Sequence, residues 1–200
     1  MSRTADALAF AREFARSPWE VASLVPSSPP VCRALTLAVR ETGDPVVVEL
    51  GAGTGVVTEV VRQRLGGRGR HLAVELNPRF AAALAERFPD VEVLCVDAGE
   101  VPELLRERGL RADIVLSGLP WAAFPTGRDL HRRLAAAMTA DGVFTQLGYA
   151  ATRLAGPARA QLGTLRAVFE EVSTSRTVWR NLPPAVVHTG RRPRQAARSW

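Results

Sequence analysis

Three glycines spaced two apart follow a carboxylate in Glu49-Leu50-Gly51-Ala52-Gly53-Thr54-Gly55, and a β-branched run, Val46–Val48, precedes them. Such a run makes a buried parallel strand, and glycines after it let the backbone turn sharply and approach a ligand closely. Helix-forming sequence resumes at Val56. The loop therefore lies between a strand end and a helix N-terminus, the crevice where open α/β sheets bind ligands. A dinucleotide fingerprint, G-x-G-x-x-G, is excluded because its third glycine falls on Val56. Two further carboxylates, Glu75 and Asp97, end the next two apolar runs, and Ser117-Gly118-Leu119-Pro120-Trp121 ends a fourth.

The glycine loop looks like motif I of class I S-adenosylmethionine-dependent methyltransferases. For such a cofactor the ribose diol wants a carboxylate at the end of the second strand, about 20 residues beyond the glycines. Glu75, followed by Leu76, stands there, and Asp97-Ala98 offers the adenine amino group an acceptor after the third strand. With Glu49, Gly51, Ala52, Gly53, Gly55 and Ser117 these are the expected cofactor contacts. The Ser117–Trp121 segment resembles the Asn/Asp/Ser-x-x-Pro-aromatic motif of amino-methylating enzymes. A nitrogen nucleophile must aim its lone pair at the sulfonium methyl, and carbonyls at 118–119 with the Ser117 hydroxyl suit its N–H groups. Pro120 stiffens the loop, and Trp121 offers a cation its π-face, worth on the order of 0.5–2 kcal/mol. The bland alternative is a core tryptophan after a turn. Tyr149, the only tyrosine, reads equally as a proton acceptor, an orienting group or a structural hydroxyl. Ser117, Pro120, Trp121 and Tyr149 are thus the catalytic candidates; with no histidine placed as a base, water or a carbonyl relay is the default proton route.

Longer strings carry a more specific resemblance: Pro26-Ser27-Ser28, Glu75-Leu-Asn-Pro78, Ser117–Trp121, Phe144-Thr-Gln-Leu-Gly-Tyr149 and Val178-Trp-Arg-Asn-Leu-Pro-Pro-Ala185. With the glycine loop they are similar to bacterial phospholipid N-methyltransferases from about residue 14 to 188. The resemblance implies methyl transfer to the amine of phosphatidylethanolamine, repeated toward phosphatidylcholine, with an N-terminal amphipathic helix on the bilayer. It makes Trp121 and Tyr149 substrate contacts, and Arg180 and Asn181 partners of the lipid phosphate, since arginine pairs with phosphate bidentately. His188 stands where that family often has tyrosine, and Ala52 replaces a common proline. Ribosomal-RNA adenine dimethylases are related, with Asn-Leu-Pro-Tyr at the fourth strand.

The elements that must position these groups alternate. Strands are expected at 46–50, 70–75, 91–96, 114–117 and 143–148, and helices at 30–42, 55–65, from Pro78, around 101–108 and at 127–139. A short helix over 157–163 and strands over 165–173 and 176–188, which can pair as an antiparallel hairpin, finish a doubly wound, mostly parallel seven-stranded Rossmann-like sheet. Residues 1–43 form a helical extension, amphipathic over 1–16 with Trp19 beyond it; residues 44–190 form the methyltransferase domain, and 191–200 a basic tail.

All 26 basic residues are arginine, and the formal charge is +6. That favours anionic partners, either a lipid surface or nucleic acid. RNA is the less favoured: the chain ends near the catalytic sheet, leaving no room for the helical domain that usually follows in the dimethylases. A soluble amine or natural product also satisfies the catalytic motifs. Cys95, in the run 91–96, reads as a buried core thiol, and neither it nor Cys32 has metal-ligand spacing; His71, His131 and His188 add no cluster, so no metal is expected. Without a signal peptide or apolar span, the expected place is the cytoplasm, peripheral on the membrane's inner face.

Overall fold

The computed structural model describes residues 27–119, 121, 127–152 and 156–194. The expected amphipathic helix at 1–16, Trp19, Pro26, Pro120 and the end of the tail, 195–200, lie outside them.

Strands β1 (Val46–Leu50), β2 (Arg70–Val74), β3 (Glu92–Leu94), β4 (Ala112–Ser117), β5 (Met138–Tyr149), β6 (Phe169–Thr174) and β7 (Ala185–Pro193) form one sheet in the order β3-β2-β1-β4-β5-β7-β6. Pairing is parallel from β3 through β5 and antiparallel for β5–β7 and β6–β7. The spatial order of successive strands thus reverses at β1, beside the glycine loop, and the switch point opens where β1 and β4 end side by side.

Helices α1 (Pro29–Leu35), α2 (Val56–Leu65) and α3 (Pro78–Arg87) cover one face; α4 (Val101–Glu107), α5 (Gly127–Ala136) and α6 (Gly156–Val168) cover the other. Strand alternation divides the core accordingly. Val47 packs with Val61 and Leu65 of α2, whereas Val48 and Leu50 join Leu105, Leu134 and Leu165 from the opposite layer. Asn77 caps α3, its Oδ1 accepting from Arg79 N at 2.9 Å, with Pro78 in the first helical position.

Several boundaries differ from the sequence expectation. The first helix stops at Leu35 and ends in a 3-10 turn over Thr36–Ala38. α6 extends to Val168, through Gly163, so the strand expected from 165 begins only at Phe169. The last strand starts at Ala185, because Pro183 and Pro184 cannot donate to the ladder of a strand paired on both sides. It runs on to Pro193, so Arg191 and Arg192 belong to the sheet, with Arg192 paired to Glu170 and Glu171, and not to a frayed tail. Cys95 is exposed, not buried: the edge strand β3 ends at Leu94, and the thiol lies one residue beyond. The buried cysteine is Cys32.

Candidate active site

The C-terminal ends of β1, β2 and β4 and the region after β3 surround a cavity of about 350 Å³, within the usual range for small-molecule sites. Its floor is the glycine loop. Gly51 has φ +74°, and a Cβ there would sit 2.9 Å from the Leu119 side chain. Gly53 has φ +55° and faces open space. Gly55, by contrast, does not line the cavity; its Cβ would meet Leu84 and Phe88 at 2.7 Å, so its need is close packing of α2 against α3.

Glu75 organises the loop. Its Oε2 accepts from Gly53 N and its Oε1 from Asn77 N, both at 2.8 Å. A carboxylate has about four acceptor positions, so each oxygen keeps capacity for a hydroxyl entering the cavity. Asp97 is exposed at the rim, where Oδ1 accepts from Gly99 N and Glu100 closes a capping box. Leu76, Phe80, Val96 and Ala98 make the adjoining lining apolar, with Leu76 conspicuously exposed at 66%. Ala52 completes this end.

Glu49 is buried on the α2 face and also lines the cavity. His71 Nε2 donates to its Oε2 at 3.0 Å, from behind, while the buried His71 Nδ1 makes no hydrogen bond among the described residues. The sequence reading missed this pair. The register gives its signal: Val47 pairs with His71 across β1 and β2, which places Glu49 and His71 on one face.

At the other end stand Ser27, Leu35, Ser117, Gly118, Leu119, Leu147 and Tyr149. Ser117 is fully buried, and its Oγ accepts from Trp121 Nε1 at 2.8 Å and from Leu119 N at 3.3 Å. Both of its lone pairs are therefore engaged within the loop, leaving the hydroxyl hydrogen rather than acceptor capacity for a substrate. Trp121 is a core residue. It is 4% exposed, its ring 3.9 Å from His131 between centroids and edge-on to Phe144, and it does not line the cavity. The expectation that it presents a π-face to the substrate gives way to the packing role. Burial holds the Tyr149 phenol above the ordinary tyrosine range, so at neutral pH it is a neutral hydroxyl and not a phenolate base. Burial, with Glu49 second, pushes the Cys32 thiol up to about 11.

Arg180 is exposed and outside the cavity lining. Asn181 is buried and its amide is spent on structure: Oδ1 accepts from Ser28 N at 2.9 Å and Nδ2 donates to Pro183 O at 2.8 Å. It ties the segment before α1 to the turn before β7 instead of reaching a ligand. His188, paired with Gln146 in register, has Nδ1 2.8 Å from Thr174 Oγ1. Among the described residues no His, Cys, Asp and Glu side chains group as a metal site.

A glycine floor at the topological switch point, a carboxylate bracing it from β2 and a second acceptor after β3 define a class I S-adenosylmethionine-dependent methyltransferase. Solved structures share the fold: the O-methyltransferase of Bacillus cereus with S-adenosylhomocysteine (TM-score 0.67, 13% identity, 96% of this chain and 92% of that one), and precorrin-6y C5,15-methyltransferase of Geobacter metallireducens (0.63, 18%, 86% and 91%). Fibrillarin of Aeropyrum pernix, with S-adenosyl-L-methionine bound, also aligns (0.62, 18%, 80% and 74%). No family model matches the chain. The ornithine lipid N-methyltransferase of Singulisphaera acidiphila is 36% identical over 148 residues, 71% of this chain and 77% of that relative, and the chain belongs to its family.

Proposed function

We propose that the protein N-methylates the primary amine of a membrane lipid headgroup, with phosphatidylethanolamine and an ornithine-type lipid as the two acceptors to compare. The carrying observation is one continuous cavity reaching from Glu75 and Asp97 to Ser117, Leu119 and Tyr149, in a chain 36% identical to an enzyme named for methylating a lipid amine.

The residues fit the cofactor. Glu75 has acceptor capacity left for the ribose hydroxyls, Asp97 suits the adenine amino group, and Leu76, Phe80 and Val96 suit its ring. Glu49 offers a carboxylate to the methionine ammonium and His71 fixes its orientation. Gly51 and Gly53 leave the floor free of side chains. The bound cofactor supplies an electrophilic sulfonium methyl.

The chain's own contribution is alignment and exclusion of water. Leu35, Leu119 and Leu147 give the acceptor end an apolar wall, which favours the neutral amine over the ammonium. Tyr149, held neutral, accepts an amine N–H or donates to a headgroup oxygen, orienting the lone pair. Ser117 shapes the 117–121 turn through Trp121 and Leu119, so its effect on the acceptor is positional. With the phenol protonated and no histidine among the described residues that line the cavity, the amine loses its proton to water before attack.

The test is methyl transfer from radiolabelled S-adenosylmethionine to anionic vesicles holding either amino lipid, beside deproteinised RNA and a soluble amine. Label in a lipid fraction supports the reading and names the headgroup. Label only in RNA or only in the soluble amine refutes it.

A further inference from the structure

The turn 175–184, between β6 and β7, holds two large apolar side chains away from the protein: Trp179 is 77% exposed and Leu182 56%. Single exposed apolar residues are ordinary. Here, however, the two flank Arg180, with Arg176 close by, and the turn contains no acidic residue. Neither arginine enters an ion pair among the described residues.

The turn is braced. Val178 and Ala185 exchange backbone hydrogen bonds at 2.7 and 3.2 Å, and Ala150 N donates to Pro184 O at 2.9 Å. Asn181 grips Ser28 N on one side and Pro183 O on the other. A rigid frame thus presents Trp179 and Leu182 outward. It also fixes where they are. Ala185 pairs with Tyr149 across β5 and β7, and Ser28 follows Ser27; Tyr149 and Ser27 both line the acceptor end of the cavity. The base of the turn therefore adjoins the Tyr149 end of the cavity.

We propose that this turn is a docking tip for an anionic lipid surface. Trp179 and Leu182 insert at the headgroup level, where tryptophan's amphipathic ring is favoured, and Arg176 and Arg180 meet lipid phosphates. Docked so, the protein turns the Tyr149 end of its cavity toward the bilayer, and a lipid headgroup reaches it without leaving the surface. The inference rests on the lipid reading of the function.

The full chain is mixed with phosphatidylglycerol–phosphatidylethanolamine vesicles, or with phosphatidylcholine vesicles, and partition is measured by flotation. Methyl transfer is measured in parallel to vesicle-held phosphatidylethanolamine and to a short-chain, monomeric analogue. Trp179→Ser/Leu182→Ser lowers partition on anionic vesicles at least about tenfold and lowers vesicle methylation with it, while transfer to the monomeric analogue is unchanged. Arg176→Glu/Arg180→Glu lowers partition by about fivefold or more per arginine, on anionic vesicles only. Wild-type partition in both variants overturns the proposal. Equal loss of transfer to the monomeric analogue in the serine variant also overturns it, making the turn structural; so does a vesicle-free dimer that the serine variant dissolves. If the wild type labels no lipid yet partitions through Trp179, the docking tip stands and the lipid-methylation reading falls.

Discussion

The two ends of the cavity are built differently. At the glycine end, Gly53 is held by Glu75, and Glu75 by Asn77 and the strand beneath it. The contacts there span 22 residues or fewer, and carboxylates point into the space they serve. At the Tyr149 end, the polar groups with the strongest motif resemblance face each other instead: Trp121 on Ser117, Asn181 on Ser28. At one end the motif carboxylates line the cavity; at the other Ser117 lines it beside Leu35, Leu119, Leu147 and Tyr149 but spends its acceptor positions on Trp121 and Leu119. A recurring string is thus no guide to whether a side chain touches ligand or merely holds the wall that does.

The largest test of this contrast is Trp121→Ala. Truncating a buried tryptophan costs about 3–5 kcal/mol, so thermal unfolding shifts down strongly; Trp121→Phe restores most of that stability and also turnover. A phenylalanine variant with native stability but no turnover would return Trp121 to the substrate. Next, Glu75→Ala removes the ribose acceptor and the two hydrogen bonds that hold Gly53 and Asn77, and weakens S-adenosylmethionine binding by about tenfold to a hundredfold, at roughly 1.5–3 kcal/mol for a hydrogen bond to a charged group. Calorimetry measures this, and the contrast fails if Asn181→Ala weakens cofactor binding equally. Asn181→Ala instead costs about 1–3 kcal/mol of stability and raises the lipid KM, with cofactor affinity kept.

Smaller effects concern Tyr149. Its folded pKa is raised by burial, so the neutral phenol persists past its ordinary pKa of about 10, and the stability tied to that neutral form is full below that pKa and is lost as pH rises from it through the higher folded value. The rate profile between pH 6 and 9, a range chosen roughly to stay below ordinary phenol ionisation, therefore keeps its shape in Tyr149→Phe, with a few-fold lower kcat. A rising limb present in the wild type and absent from the variant would make Tyr149 the base. Smallest of all is a difference between thiols: a disulfide reagent modifies the exposed Cys95 rapidly and the buried Cys32 only on unfolding.

The same contrast decides what could be read from the sequence. From residue 46 to 117 a Gly, Asp, Asn or Ser stands at each strand's end or within three residues after it, so alternation gives β1, β2 and β4 to within two residues and places Glu75 and Asp97 just beyond β2 and β3. Beyond residue 155 these local signals mislead. Gly163 looks like a helix stop, but Leu162, Leu165 and Val168 continue the apolar stripe of α6, and tertiary packing outweighs the roughly 1 kcal/mol penalty of glycine. Arg191 and Arg192 look like a tail, yet their backbone fills a central strand. The roles of Asn181 and Trp121 depend on partners brought near by folding, and no periodicity reveals them. Glu49 and His71 were within reach, since strand register alone sets them side by side.

The clasp between Ser28 and Asn181 joins residues 153 apart, and Thr145 Oγ1 grips Leu35 O across 110. Synthesis runs from the N-terminus, so the chain from 46 to 117, which makes the glycine crevice, leaves the ribosome well before Asn181 exists. For that interval α1 lacks its strand β7 and the Tyr149 end of the cavity has no outer side. The glycine end of the cavity is thus drawn from a growing chain's middle, whereas the Tyr149 end is closed only when the chain's two ends have met.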